Sequence, residues 1–456
     1  MDWLANIEEW IGSMDWMIML IQLLLSLSFL VAVHEFGHLI AAKYFGMRVE
    51  QFSIGFPPKI WSFKKGETEY AISAIPLGGY VKISGMIDES LDAEAMKQPP
   101  QPWEFRSKPA WQRLIVMLGG IFVNVVVGIL IFIGITFAFG DTYLLKDAIN
   151  DNGGFQVGPV GESLGLRTGD KIVKINGQDY EYLEDLIRPA MLLGTNPYYT
   201  VERDGKLIDI PIPEDFIQKF NKKETAGNFI YYRYAPSIAF IQKGSVADGM
   251  GIQEGDKILA MNGTPITYFD ELTRMLKSNT SDSLYLKVQR GGEVLTLKED
   301  FRDKTTLGVS ADASDEFYER AELKITYGLM ESIPLGAERA FTTLTVQIKA
   351  FGKIISGALS PKESLSGPIG IMQAFGVEWD WEKFWSLTGV LSLVLAFMNL
   401  LPIPALDGGH VMFLSYEIIS RRKPSDKFLE SAQKVGMIFL LGLMVFIFAN
   451  DIIKLF

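Results

Sequence analysis

Residues 31–42 read VAVHEFGHLIAA, a run apolar enough to lie in a lipid bilayer that nevertheless carries two imidazoles and a carboxylate. On a helix, at about 100° per residue, His34 and His38 fall about 40° apart on one face, with Glu35 flanking them. That arrangement is a metal pincer with a base beside it. Two other readings compete with it, a chance H-x-x-x-H and a pair of histidines hydrogen-bonded into a helix bundle. Either leaves Glu35 unpaired in an apolar segment at a cost of several kcal/mol, so the metal reading is preferred.

Working outward, the chain has 456 residues, 48% of them apolar, and a net charge of −11. A wholly membrane-embedded protein would be more apolar and a soluble enzyme less, so a mixed architecture is expected. The acidic balance argues against a nucleic-acid partner, which selects clustered Lys and Arg. Cysteine is absent, so any metal is held by His and carboxylates.

Four runs approach the roughly 20 residues that a spanning helix needs: 17–42, 114–139, 384–403 and the shorter 435–450. The residues before the first run hold no Lys or Arg, whereas Lys43, Arg48, Lys59, Lys64, Lys65 and Lys82 follow it and Arg106, Lys108 and Arg113 precede the second. By the positive-inside rule the loop 43–113 is cytoplasmic. The loop 404–434, with Arg421, Arg422, Lys423 and Lys427, agrees. Both termini and the long stretch 141–380 are then placed outside the cytoplasm. Segment 1–16 opens with Asp2, Glu8 and Glu9 and lacks the basic region of a signal peptide, so it is expected to remain on the protein. Trp3, Leu4, Ile7, Trp10, Ile11 and Met14 suit either an amphipathic helix on the outer membrane surface or a frayed tail.

The stretch LGLRTGDKIVKING at 164–177 returns as MGIQEGDKILAMNG at 250–263, so the outer region reads as a tandem duplication. Each copy predicts a strand (171–175, 257–261), an Asn-Gly turn and a later hairpin around Arg203 or Arg290. Both copies resemble the bacterial PDZ domain, which implies two α+β domains at about 145–220 and 230–310 that bind peptides by strand addition. The duplication is also consistent with a bulky plug over the membrane part. Beyond it, in 320–380, Phe341, Leu344, Ile348, Phe351 and Ile355 keep a three-four spacing that predicts an interfacial helix leading to the third span. Trp379, Trp381 and Trp385 mark the outer boundary of that span.

A catalytic zinc usually takes three protein ligands, and the search for a third leads to MNLLPIPALDGGHV at 398–411. The third span runs in the same direction as the first, so its inner end reaches the level of the pincer. Pro402 and Pro404 interrupt the helix, and Gly408 and Gly409 permit close backbone approach next to Asp407. Asp407 and His410 are rivals for the third position. Asp407 is nearer the break, and its carboxylate would otherwise be an unpaired charge, whereas a neutral His410 satisfies itself with one hydrogen bond. Asn399 suits either a substrate carbonyl or freed backbone groups. Glu35 is placed to take a proton from water and pass it to a departing amine, which makes the reaction peptide hydrolysis without a covalent intermediate.

HEFGH at 34–38 with Asn399, Pro402, Pro404 and the Leu406-Asp407-Gly408 triplet resembles the site-2 protease family of intramembrane zinc metalloproteases, and the tandem PDZ-like region narrows this to its bacterial branch. The resemblance covers nearly the whole chain. It implies a four-helix membrane protein of the bacterial inner membrane with two periplasmic PDZ domains, zinc on His34, His38 and Asp407, Glu35 as base and Asn399 as a substrate-positioning residue. It implies substrates that are single-pass membrane proteins with an inward N-terminus, an anti-sigma factor already shortened outside and remnant signal peptides. It also implies a membrane-associated β-loop at about 48–84. A helix shields its scissile bonds, so a substrate must be unwound, and an edge strand including Ile75, Gly78, Gly79 and Tyr80 could hold it extended. A hairpin that merely packs on the helices is the plainer reading. A scaffold with a relict metal site would share everything but catalysis, and an intact Glu35 argues against it. A zinc transporter would place ionisable residues on several spans, and the second and fourth have almost none.

Overall fold

Apolar residues on every face of a long helix leave it no aqueous side, and four helices here have that character: Asp15–Tyr44 (α1), Ala110–Phe139 (α2), Trp381–Leu400 (α5) and, over Lys427–Ile453, the helix Asp426–Leu455 (α7). All four are long and apolar enough to cross a membrane. The computed structural model describes residues 15–86, 99–192, 194–216, 229–302, 304, 306–312 and 321–455, so nearly all of the amphipathic segment expected over 1–16 lies outside the described residues. The chain divides into two units, Met1–Gly140 with Thr326–Phe456, and Asp141–Ile325.

In the first unit α1, α2 and α5 pack together, and helices Leu329–Ile355 (α3), Pro368–Phe375 (α4) and Asp407–Ser420 (α6) complete the bundle. Glycine sets the closest crossing. A Cβ on Gly37 would lie 2.3 Å from the Gly119 carbonyl oxygen, and one on Gly119 would lie 2.7 Å from that of Gly37, so α1 and α2 meet backbone to backbone. Helix α5 ends at Leu400 because Leu401 precedes a proline and takes extended φ/ψ of −62° and 141°. α7 runs well past the apolar stretch 435–450 at both ends, since flanking residues such as Lys427, Glu430 and Lys434 continue the same helix. α3 is not a lone surface helix. It lies against α2, where Gly336 abuts Ile133 and Arg339 donates to the Thr136 hydroxyl at 3.1 Å, and its Phe351 ring meets Phe397 of α5.

Between α1 and α2 the chain forms two long strands, Val49–Lys65 (β1) and Thr68–Ile83 (β2). Val49–Ile54 pairs on one side with Glu69–Ile72 and on the other with Gly79–Ile83, while Lys59–Lys65 pairs with Thr68–Ser73. The hairpin therefore folds into four arms, and Gly79–Ile83 is an edge, paired on one side only among the described residues. Gly55, at φ of 89°, supplies the bend that lets one strand serve two arms.

The second unit opens and closes with Asp141–Leu144 paired to Glu322–Ile325, so its two chain ends lie side by side. It contains two β-rich modules with separate cores. In the first, Lys171–Ile175, Tyr198–Arg203 and Lys206–Pro211 form one sheet, and Phe155–Val157 pairs with Ile230–Tyr232. In the second, Lys257–Met261, Ser283–Arg290 and Glu293–Asp300 repeat that order with a short added strand, and Ile238–Ile241 pairs with Val309–Ala311. Asn176 and Asn262 both turn with positive φ of 51°, each with its side-chain oxygen on a backbone N–H of the following strand. Asp170 receives a two-pronged ion pair from Arg203, as Asp256 does from Arg290, and each arginine also donates to a glycine carbonyl of its own module.

Candidate active site

Successive turns of α1 bring the imidazoles of His34 and His38 to one buried spot, and the break after α5 brings Asp407 to the same spot from about 370 residues further along the chain. The turn that delivers Asp407 is tight. Ala405 has a positive φ of 78°, uncommon for a residue with a side chain, and a Cβ on Gly408 would lie 2.1 Å from the Leu401 carbonyl oxygen. A Cβ on Gly436 of α7 would lie 1.8 Å from that of Pro404, so α7 braces the turn.

The His34 Nε2 to His38 Nε2 distance is 3.2 Å, and Asp407 Oδ2 lies 3.0 Å from the first and 3.4 Å from the second. Ligand atoms about 2.0–2.1 Å from a tetrahedral zinc are separated by about 3.3 Å. The three atoms thus already have the spacing of zinc ligands, and they form the one such cluster of three among the described residues. His410 lines the same cavity but is not part of that cluster.

Two residues beyond the expected set shape the imidazoles. His38 Nδ1 lies 2.8 Å from the Val116 carbonyl oxygen, which fixes that nitrogen as the donor and leaves Nε2 as the lone-pair atom. His34 Nδ1 lies 3.2 Å from the side-chain amide of Asn124, a fully buried residue of α2 whose Oδ1 otherwise has no partner. Rotating that amide by half a turn places Oδ1 where it can accept from the imidazole N–H. A Cβ on Gly120 would lie 2.5 Å from His38 Nε2, so α2 presents a notch in which the two rings sit. The signal in the sequence was slight: one amide and a Gly-Gly pair inside an apolar run.

Glu35 faces a cavity of about 640 Å³ that also reaches Asn399, Gly78, Gly79 and Tyr80. The Asn399 side-chain amide is 3.2 Å from His34 Nε2. Gly79 packs against α1, where a Cβ would lie 2.8 Å from Val31 and 3.7 Å from Glu35. Val81 lines the same cavity, so the Gly79–Ile83 arm borders the space that Glu35 faces. Ile75 is elsewhere: it pairs with Phe56 where β2 turns, is 44% exposed and does not line the cavity. An unbroken strand pattern groups Ile75 with Gly79, but β2 pairs in two stretches, 68–73 and 79–83, and Ile75 lies between them.

Two imidazoles and a carboxylate converging at the broken end of an apolar helix, with a second carboxylate on the same cavity, fit the donor chemistry of a zinc site. Residues 22–443 match peptidase family M50. The chain belongs to that family, the site-2 proteases. A Haemophilus influenzae protein named regulator of sigma E protease is 31% identical over 95% of this chain and 98% of its own length. A Neisseria meningitidis protein whose name describes it as a zinc metalloprotease is 28% identical over 96% and 99%. The Salmonella typhimurium regulator of sigma-E protease RseP is 27% identical over 95% and 98%. The chain is accordingly a zinc metalloprotease with a multi-pass membrane part.

Proposed function

We propose that this protease cuts the membrane-spanning segments of single-pass proteins whose N-terminus is cytoplasmic, in regulated intramembrane proteolysis of the sigma-E envelope stress response. An anti-sigma factor already shortened outside and remnant signal peptides are its substrates. The observation that carries the reading is the position of Glu35, on one cavity with the three converging ligand atoms and the Gly79–Ile83 edge arm. His34, His38 and Asp407 hold the zinc. When bound, zinc supplies the Lewis acidity that polarises a peptide carbonyl and lowers the pKa of water toward neutrality. Glu35 accepts the proton of the attacking water and hands it to the amine that leaves. Val116 and Asn124 keep the imidazoles in the tautomer that points Nε2 inward. A substrate laid along the edge arm passes in extended form beside the base, where a helix would hide its carbonyls; Gly78, Gly79 and Tyr80 form that track, and Asn399 holds a substrate carbonyl.

The charge distribution supports a bacterial inner-membrane protein with the 43–113 and 404–434 loops cytoplasmic and both termini periplasmic. The two modules, read as periplasmic PDZ domains, act as a filter on the size of the substrate's outer part. Because Asp141 pairs with Ile325, excising 141–325 leaves only about 5 Å to bridge with a short linker. The excised protein should cut substrates that keep a bulky outer domain, and loss of cutting of short substrates by a folded excised protein would sink the filter. The central test incubates purified protein with a transmembrane peptide of inward N-terminus, with and without a chelator. Cleavage within the spanning segment that chelation abolishes and added zinc restores is expected; cleavage confined to soluble peptides would overturn the reading.

A further inference from the structure

The two modules are joined by residues 233–237, which run from the strand Ile230–Tyr232 of the first to Ile238–Ile241 of the second. A bare tether leaves the angle between two domains open; this one is built into both. The Arg233 carbonyl accepts from the Asn152 side-chain amide of the first module at 2.9 Å. The carbonyls of Tyr234 and Pro236 accept from the backbone N–H groups of Phe269 and Ile258 in the second. The Arg233 side chain is buried and turns into the second module. Its Nε and one terminal nitrogen each donate to Asp270 at 2.9 Å, and the same terminal nitrogen reaches Glu271 at 3.1 Å. Its guanidinium carbon lies 3.7 Å from the centre of the Tyr268 ring. The tip of that ring meets the first module again, where a Cβ on Gly153 would lie 2.3 Å from the Tyr268 hydroxyl oxygen.

The duplication shows that this corner is a joint. Tyr268, Asp270 and Glu271 correspond in the repeat to Tyr182, Glu184 and Asp185. In the first module the Tyr182 ring stacks on Tyr143, and the Glu184 carboxylate accepts from the Leu144 backbone N–H. Each module thus grips the chain that enters it with the same corner. The first joint uses a ring and a backbone N–H, whereas the second uses one charged side chain between two carboxylates. A guanidinium fork bound at two points fixes orientation as well as distance. We infer that Arg233 is a positioning residue that fixes the angle between the modules and so sets which substrates the protease admits. The inference rests on the reading of the modules as a filter on the size of the substrate's outer part. A filter excludes by size only while its opening keeps its dimensions, and two modules free to pivot would yield to a bulky domain.

The test uses the full-length protein in phospholipid vesicles and two substrates that share one spanning segment, one with a short outer tail and one with a folded outer domain. The chain has no cysteine, so Lys206→Cys and Glu293→Cys, both at exposed positions, place one spin label on each module. The width of the distance distribution between the labels reports the joint. Arg233→Met should broaden it and raise cleavage of the bulky substrate relative to the short one by about tenfold or more, since loss of a charge-assisted hydrogen bond shifts an equilibrium by about ten- to hundredfold. Cleavage of the short substrate should stay near wild type, as should hydrogen-exchange protection of Tyr198–Arg203 and Ser283–Arg290, the core strands of the two modules. Asp270→Asn should move both readouts the same way by less. A bulky-to-short ratio unchanged in both variants overturns the inference, and so does a raised ratio without a broadened distribution. If Arg233→Met loses strand protection, Asp270→Asn alone decides by the same criteria. Equal cleavage of the two substrates by the wild-type protein, or no gain for the bulky one on excising 141–325, instead overturns the filter reading on which the inference rests.

Discussion

Asp170 and Asp256 in one unit and the half-buried Asp407 in the other have opposite surroundings. Asp170 and Asp256 in the modules are almost fully enclosed, yet each is gripped by both prongs of an arginine. Asp407 in the membrane unit lies 3.0 and 3.4 Å from two imidazole nitrogens and forms no ion pair with an arginine or lysine among the described residues. A carboxylate held by a permanent cation is complete when the chain has folded. A carboxylate held only by other ligands is complete when a metal arrives. The contrast separates architecture from chemistry without reference to position in the fold.

The sharpest break of that contrast would come at Glu35, which belongs to the membrane unit but is no ligand. Glu35→Gln should keep bound zinc near wild type and lower kcat for peptide cleavage by several orders of magnitude, because the amide cannot take the proton of water. If cleavage by Glu35→Gln persisted, the base would lie elsewhere and the facing of Glu35 toward the edge arm would have no catalytic meaning.

Next in size is the identity of the third ligand. Asp407→Ala should lose most of the bound zinc and all measurable activity, and His410→Ala should retain zinc. His410 lines the cavity outside the three-atom cluster. The reverse pattern of zinc contents would transfer the ligand role to His410 and remove Asp407 from the comparison.

How these features entered the sequence differs. His34, Glu35 and His38 lie within one helical turn, so local periodicity alone brings them together. Asp407 follows from two prolines and two glycines that can only mean a break. The Asn-Gly turns of the modules are local as well. What the sequence does not display is tertiary. Asn124 is one amide in an apolar run, and its meaning depends on α2 crossing α1 at Gly37 and Gly119. The four-armed hairpin depends on where each of the two long strands divides, and Ile75 falls outside the cavity because it lies at the division of β2. The three-four spacing of α3 marks an amphipathic helix, but the seat that Gly336 gives it on α2 is one that periodicity cannot reveal.

Asn124 sharpens the comparison at a smaller scale. Asn124→Leu keeps the bulk and removes the group that orients His34, and loss of such outer contacts typically weakens metal affinity by about 10–100-fold. Competition with a graded series of chelators should show that loss while the fold, followed by thermal unfolding, stays intact. Asn124→Asp should recover most of the affinity. Affinity unchanged in Asn124→Leu would mean that Val116, through His38 alone, is enough to organise the site.

The smallest effect belongs to the modules and tests the other half of the contrast. Burial acts to raise the Asp256 carboxyl, but the Arg290 guanidinium and the Gln253 backbone N–H outweigh it and hold the group below its ordinary value. A carboxyl whose native pKa is depressed adds stability that is fully present above its unfolded value, about 3.9, and is lost as pH falls through the lower native value. Protection of the Ser283–Arg290 strand against hydrogen exchange, corrected for the intrinsic rate, should therefore hold from pH 7 to about 5 and decline below about 4. In Arg290→Leu the carboxylate stays buried without its cation. Protection should then be lower at pH 7 and should lose less on acidification. An acid response as large in Arg290→Leu as in wild type would mean that the ion pair is not what completes Asp256. The aspartates of the two units would then no longer differ in kind.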